Sequence, residues 1–294
     1  MYGAIIGDIV GSKYEFSPIK SKDFPFISEG CDFTDDTVMT IAVAKALLES
    51  EGMQGHKDLA SFKDELIANM QELGQRFPDR GYGCMFSSWL HSNDPHPYNS
   101  FGNGSAMRVS PCGLFATSLD EALELAKASA EVTHNHPEGI KGAQAVAACI
   151  FLAKSGKTKE EIGGYVCENF YDISESIDEI RPHYGFDETC QGSVPQAIEC
   201  FLESSDYEDA VRNAISLGGD ADTLAAITGS IAWTYYRLGH GSRENHVDRM
   251  LDAKLRHKLN RSCEHILERY NIDELLPSDF LETIRKFEMA CSHY

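Results

Sequence analysis

The sequence predicts an all-α protein, built as a single compact domain of orthogonally packed helices that spans residues 1–294. Apolar residues recur at the three- and four-residue spacing of amphipathic helices, whereas alternating β-branched segments with hairpin turns are scarce. No repeat of fixed period and no low-complexity linker divides the chain. A chain of 294 residues is long for one domain, but it is large enough to bury a substantial core.

The segment near the N-terminus carries small residues at positions 3, 4, 7 and 11. Small side chains on one face would let another helix approach closely. Asp8 and Glu15 are seven residues apart, so on a helix they would share one face. Two interpretations of Asp8 stay open: it belongs to an acidic site, or it only ties down a neighbouring helix.

The helices predicted further along the chain have either an apolar periodic face or a start signal. Apolar periodicity predicts helices over residues 38–48, which are apolar almost all round, and over residues 59–73. Start signals predict helices that begin after Ser118, at Pro137 and after Thr158. Two further helices are predicted over residues 208–217 and from about Thr223. Residues 77–103 are rich in Gly, Pro, Asn, Asp and Ser and are the least helical part. A connection of that length is usually functional.

The charge balance is strongly acidic, with 26 Lys and Arg against 46 Asp and Glu and a formal net charge of −20. Because no basic stripe is present, extended nucleic-acid binding is not expected. The nine cysteines form no C-x-x-C pair and lie mostly in apolar helical runs, which favours reduced thiols. The sequence shows neither a basic leader nor an apolar span of roughly 20 residues. We therefore expect a cytoplasmic monomer that does not bind membranes.

Two acidic clusters, Thr34-Asp35-Asp36-Thr37 and Gly219-Asp220-Ala221-Asp222-Thr223, each stand where an apolar helical run begins. Thr34 suits an N-cap and the helix dipole favours carboxylates in a first turn, which alone would explain the first cluster. Burying four unpaired carboxylates is prohibitive, so two such clusters at central helices predict a divalent-metal site. Oxygen donors favour Mg²⁺, Mn²⁺ or Ca²⁺ over Zn²⁺, and this number of acids favours two ions.

A glycine-containing segment, residues 100–108, precedes a helical run and would offer backbone N–H groups to a phosphate. The signal is weak, because the segment lacks a Walker lysine and a packing turn explains it equally well. His134 and His136 precede the Pro137 helix start and are candidates for a loop that faces a ligand. An isolated H-x-H is more often not a metal site.

Together these segments resemble the ADP-ribosylglycohydrolase family, which includes the enzyme that reactivates ADP-ribosylated dinitrogenase reductase and the vertebrate ADP-ribosyl hydrolases. The matching segments follow the family's order between residue 3 and about residue 235, and they are Gly7-Asp8-x-x-Gly11-Ser12-x-x-Glu15, Thr34-Asp35-Asp36-Thr37, Gly102-Asn103-Gly104-Ser105-Ala106-Met107-Arg108, Thr133-His134, Ser193-Val194-Pro195-x-Ala197 and Gly219-Asp220-x-Asp222-Thr223. The resemblance implies an all-α domain with a binuclear Mg²⁺ or Mn²⁺ centre. It implies cleavage of the glycosidic bond between ADP-ribose and an attached group, either a protein side chain or a small adduct.

The resemblance also assigns residues by position. The implied metal ligands are Thr34, Asp35, Asp36, Asp220, Asp222 and Thr223. Glu15 matches a mobile glutamate that ligates metal or acts in acid/base catalysis, and Asp36 is the second candidate for proton transfer. The implied ADP-ribose-binding residues are Ser100, Phe101, Gly102, Asn103, Gly104, Ser105, Met107 and His134.

Two other functions stay open. A non-catalytic binding or structural relative on the same fold, such as the jellyfish J1 crystallins, would be expected to have lost some acids, whereas here every matched position is filled. A two-metal phosphohydrolase would cut the diphosphate and release AMP and ribose phosphate instead of free ADP-ribose. The leaving group of an ADP-ribosyl hydrolase also stays open: an arginine or serine side chain, a nucleic-acid base or phosphate, or an O-acetyl group.

Overall fold

Helices make up the regular structure of this protein, which is a computed structural model that describes residues 1–50, 58–238 and 263–292. In chain order the helices are α1 (Tyr2–Ser12), α2 (Asp35–Glu49), α3 (Leu59–Arg76), α4 (Cys84–Leu90), α5 (Gly104–Met107), α6 (Ser110–Phe115), α7 (Leu119–Glu131), α8 (Pro137–Lys154), α9 (Lys159–Asn169), α10 (Ile177–Ile180), α11 (Cys190–Leu202), α12 (Tyr207–Ser216), α13 (Ala221–Leu238) and α14 (Ser278–Cys291). Residues 263–270 are helical as well. The described residues contain no strand, only an isolated bridge between Gly102 and Thr189. The all-α prediction is confirmed.

The close packing of α1 against α13 decides where the site lies. A β-carbon added to Gly7 would lie 2.1 Å from the carbonyl oxygen of Ala225, and one added to Gly11 would lie 2.5 Å from that of Ala221. Only glycine leaves room for the two backbones at this distance, as the small residues of the N-terminal segment predicted. The helix pair therefore brings the middle of α1 beside the first turn of α13.

Local start signals explain several helix boundaries. Thr34 caps α2 by accepting a hydrogen bond from the backbone N–H of Asp36 at 3.4 Å. Thr158 and Glu161 form a complete capping box at the start of α9, and Pro137 occupies the first position of α8. At the start of α7 the Ser118 hydroxyl accepts from the N–H of Glu121, but the capping box is only half formed, because the carboxylate of Glu121 binds Thr117 instead.

Two details of helix extent are decided by the structure. The N-terminal helix ends at Ser12, so Glu15 lies in the turn that follows and not on the helix face of Asp8. In this turn the Tyr14 ring is buried and packs on Phe24, with ring centroids 5.0 Å apart. Helix α4 lies inside residues 77–103, where Phe86, Trp89 and Leu90 supply a buried apolar face.

The core surrounds α2, which is buried along most of its length, as its apolar composition predicted. All nine cysteines are free thiols, and five of them are buried, namely Cys112, Cys149, Cys190, Cys200 and Cys263. Among the helices described, none combines the length and the apolar character that crossing a membrane requires.

Candidate active site

The two acidic clusters meet where α2 and α13 begin, beside the middle of α1. Oxygen atoms of Asp8, Asp36 and Asp222 all lie within 4.8 Å of one another. The same holds for Glu15, Asp220 and Asp222. Because Asp222 belongs to both groups of three carboxylates, the two groups are adjacent.

Asp8 has a larger role than the sequence alone established. Its fully buried carboxylate accepts hydrogen bonds from the backbone N–H of Thr34 at 2.9 Å and of Thr37 at 3.0 Å. The hydroxyls of the same two threonines also donate to it, that of Thr34 at 2.6 Å. Asp8 therefore fastens α1 to the start of α2 and also belongs to an acidic group, so its role is not limited to tying down a helix.

The other residues of the first cluster have distinct surroundings. The hydroxyl of Thr223 donates to Oδ2 of Asp36 at 3.2 Å and so links the two clusters. Oδ1 of Asp36 is buried and has no hydrogen-bond partner among the described residues. Asp35 belongs to neither group of three; its backbone N–H donates to the carbonyl of Arg80 at 2.8 Å, and the residue is partly exposed.

Burial and mutual repulsion raise the pKa of the acids. For Asp36 and Asp35, burial is the main cause of the raised pKa and the nearby Asp222 carboxylate is the next. Burial, followed by Asp222, raises the pKa of Glu15 to about 8. Burial raises the pKa of Asp8 to about 6 even though its hydrogen bonds act in the opposite direction. In the described part of the chain, the Lys and Arg ion pairs involve other acids, so this cluster lacks a positive partner.

The loop of residues 100–105 is held by the segment before α11, a partner that the sequence did not indicate. The N–H of Asn103 donates to the carbonyl of Glu188 at 2.8 Å, and the N–H of Cys190 donates to the carbonyl of Phe101 at 2.9 Å. Within the loop, the Ser100 hydroxyl accepts from the N–H of Gly102 at 3.1 Å. The loop is thus fixed in place before any ligand binds.

Side chains of the loop connect it to both neighbours. The amide of Asn103 donates to Oδ2 of Asp220 at 2.7 Å, which joins the loop to the acidic cluster. The hydroxyl of Ser105 donates to the carbonyl of Gly139 at 2.7 Å and anchors the loop on α8. Met107 lies on the acidic side, with its sulfur 3.9 Å from the hydroxyl of Thr223. The sequence did not predict the link from Asn103 to Asp220.

The aromatic and histidine side chains around the loop differ in exposure and contacts. Phe101 is 44% exposed and packs edge-on against the ring of His136. His136 caps α8, because its Nδ1 accepts from the N–H of Glu138 at 3.1 Å. His134 is buried against the loop, where a β-carbon added to Gly104 would lie 3.1 Å from its Nε2 atom. Of the two histidines predicted to face a ligand, His134 is buried beside Gly102 and Gly104, whereas His136 caps α8 and contacts the loop through Phe101.

Comparison with known proteins gives the same family as the motifs. A family model described as ADP-ribosylglycohydrolase matches residues 1–267. ADP-ribosylhydrolase ARH3 of Homo sapiens is 27% identical over 312 residues, which cover 80% of this chain and 84% of that protein. ADP-ribosylarginine hydrolase Tri1 of Pseudomonas putida is 27% identical over 271 residues, which cover 80% of this chain and 69% of that protein.

A solved structure of an ADP-ribosylglycohydrolase-related protein complex supports the fold. Its chain superposes on this one with a TM-score of 0.60 at 24% sequence identity. The match covers 88% of this chain and 95% of that one. The chain therefore belongs to the ADP-ribosylglycohydrolase family, and it is a glycosyl hydrolase that acts on linkages of ADP-ribose.

Proposed function

We propose that this enzyme is a metal-dependent ADP-ribosyl hydrolase that binds two divalent cations, Mg²⁺ or Mn²⁺, and releases free ADP-ribose. The observation that carries the proposal is the pair of adjoining carboxylate groups that share Asp222. Both groups are largely buried, and no Lys or Arg of the described residues pairs with them. Family membership supplies the substrate class, and the buried acids supply the reason for a cation.

The donor set fits two hard cations. All the donors are oxygen atoms, which Mg²⁺ and Mn²⁺ prefer, and Oδ1 of Asp36 is buried without a partner in the described residues. The residues that would hold the two ions are Asp8, Glu15, Thr34, Asp35, Asp36, Asp220, Asp222 and Thr223. When bound, the ions would neutralise the carboxylates, orient the ribose hydroxyls and activate a water molecule.

Among the acids, Glu15 is best placed to move a proton. It lies in the turn after α1, is partly exposed, and its carboxylate lies within 4.8 Å of that of Asp222. Asp36 is almost fully buried and accepts a hydrogen bond from Thr223, which suits a ligand better than a proton carrier. We infer that Glu15 gives a proton to the leaving group or takes one from the attacking water.

The loop side would hold the rest of ADP-ribose. The backbone of residues 100–105 and the exposed ring of Phe101 would contact the diphosphate and the ribose, with His134 behind the loop. The attached group would leave on the side of Asp35, next to residues 80–82. There the hydroxyl of Tyr82 is buried and has no hydrogen-bond partner in the described part of the chain.

A substrate panel tests the proposal. Arginine-, serine- and O-acetyl-linked ADP-ribose would be incubated with the enzyme and Mg²⁺ or Mn²⁺, and the products identified by mass spectrometry. We expect free ADP-ribose from at least one substrate and no release after exhaustive chelation. Release of AMP and ribose phosphate would instead identify a phosphohydrolase. Full activity after chelation would contradict the metal requirement.

A further inference from the structure

Arg108, just after α5, is a buried cation that lacks a carboxylate partner. It is 1% exposed and forms no ion pair within the described residues. Its Nη2 atom donates to the carbonyl of Ser129 at 2.8 Å and to the hydroxyl of Thr133 at 2.8 Å. A buried charge without a counter-ion is costly, so a role beyond packing is expected for this guanidinium.

The hydroxyl of Thr133 connects Arg108 to His134. Oγ1 of Thr133 lies 2.7 Å from Nδ1 of His134. A hydroxyl has one proton to donate and two lone pairs that accept. Because Thr133 accepts from Arg108, its own proton points elsewhere, and His134 is the remaining partner among the described residues. Donation to Nδ1 of His134 gives the buried hydroxyl proton a partner, whereas the opposite direction would leave that proton unpaired, so the geometry favours Nδ1 as the acceptor.

With Nδ1 as the acceptor, the proton of a neutral His134 imidazole lies on Nε2. The ring is neutral, because burial and the nearby Arg108 lower its pKa well below the ordinary value. Nε2 faces the loop, 3.1 Å from where a β-carbon on Gly104 and 3.5 Å from where one on Gly102 would lie. In the described part of the chain, Nε2 has no hydrogen-bond partner, so its N–H is an unused donor directed at the loop.

We propose that Arg108 and Thr133 are positioning residues that hold His134 as the neutral Nε2–H tautomer, which donates a hydrogen bond to an oxygen of bound ADP-ribose. The acceptor lies beside Gly102 and Gly104, where the proposed function places the diphosphate and ribose. This inference rests on that function for its ligand, but the tautomer is a property of the free enzyme. The hydrogen bond from Arg108 polarises the Thr133 hydroxyl, which in turn makes the Nε2–H of His134 a stronger donor to an anionic oxygen.

The tautomer is tested without any substrate. Long-range ¹H–¹⁵N spectra of histidine-labelled enzyme would be recorded near neutral pH, and the His134 signals, one set among eleven histidines, assigned by their loss in His134→Gln. We expect an unprotonated Nδ1 and a protonated Nε2. In Thr133→Val, which lacks the hydroxyl, the preference for this tautomer is expected to weaken, and Thr133→Ser is expected to restore it. A protonated Nδ1 in the wild-type enzyme would overturn the proposal.

The hydrogen bond to the ligand is tested by calorimetric titration with ADP-ribose. We expect Thr133→Val to bind roughly tenfold more weakly and Thr133→Ser to bind nearly as the wild type does. Equal affinity in Thr133→Val and Thr133→Ser, with an altered tautomer in the valine variant, would disprove the donor role. A wild-type enzyme that neither binds ADP-ribose nor hydrolyses its adducts would refute the proposed function instead, and the spectra would then show the tautomer alone.

Discussion

The two sides of the site bury opposite charges, and neither side neutralises the other. On the helix side, Asp36 and Asp222 are buried without a cationic side chain among the described residues. On the loop side, Arg108 is buried without a carboxylate. Proteins usually pair buried charges, and under the proposed function each side would receive a ligand of opposite sign. Cations on the acids and an anionic ADP-ribose at the loop would complete both sides.

Removing the shared acid should affect activity most. Asp222→Asn keeps the shape of the side chain but deletes the charge common to both carboxylate groups. We expect loss of ADP-ribose release by roughly three orders of magnitude, on the order of 4 kcal/mol in activation free energy. Without divalent ions the variant should melt at a higher temperature than the wild type, because repulsion from Asp220 and Asp8 is relieved.

The matched control for this variant is Glu124→Gln, which deletes an exposed carboxylate on α7. Its activity and melting temperature should stay close to those of the wild type. Wild-type activity in Asp222→Asn would contradict the assignment of this acid. A metal-free melting temperature below that of the wild type would show that the acids do not repel one another in the folded enzyme.

Separating α1 from α13 should destabilise the fold around the acids without removing any carboxylate. In Gly7→Ala the new β-carbon would lie 2.1 Å from the carbonyl oxygen of Ala225, so the helices must move apart. We expect a loss of about 2–3 kcal/mol in the free energy of unfolding, measured by urea denaturation. Gly164→Ala on α9 is the control, because nothing lies within 4 Å of its added β-carbon. There we expect a gain of up to about 1 kcal/mol; equal losses in both variants would refute the packing explanation.

The link between the two sides should show an intermediate effect. Asn103→Ala removes the hydrogen bond to Asp220 but leaves every carboxylate in place. We expect metal affinity or activity to fall roughly 10- to 100-fold, as for residues that orient metal ligands. Mn²⁺ titration and turnover would be compared with those of Asn169→Ala, an exposed asparagine on α9. If both variants bind Mn²⁺ alike, the loop does not orient Asp220.

The loop side should contribute a small dependence of stability on pH. Burial and Arg108 hold the pKa of His134 below that of the unfolded chain, and Tyr98 also packs on the ring. The unfolded chain therefore binds more protons as the pH falls. The contribution of neutral His134 to the free energy of unfolding is fully present above about pH 6.5 and declines below it, by at most about 1.4 kcal/mol per pH unit. The stability of the wild type relative to His134→Gln should thus shrink between about pH 7.5 and 5.5 in urea denaturation. Parallel curves would indicate a His134 that is not held neutral.

Local chemistry made part of the fold and the site predictable. Thr34 before two acids, Pro137 after a histidine and the capping box at Thr158 each act within one helical turn, and each starts a helix where expected. The acids of residues 34–37 and 219–223 could be assigned to one site from the sequence because burying unpaired carboxylates is costly, whatever their separation along the chain. The end of α1 and the presence of α4 were not predictable, because burial of Tyr14 and of the Phe86 face decides them.

The sequence by itself determined the helical class, the family motifs and the excess of buried acid, because these depend on residue type and on spacing within a few turns. The tertiary structure decided that Asp8 joins the acids, that Asn103 reaches Asp220 across 117 positions, and that Arg108 acts on His134 through Thr133. Such contacts depend on how closely α1 approaches α13 and on where α8 holds the loop. A hydrogen bond tolerates a change of only a few tenths of an ångström in its donor–acceptor distance, and the packing of the helices sets that distance.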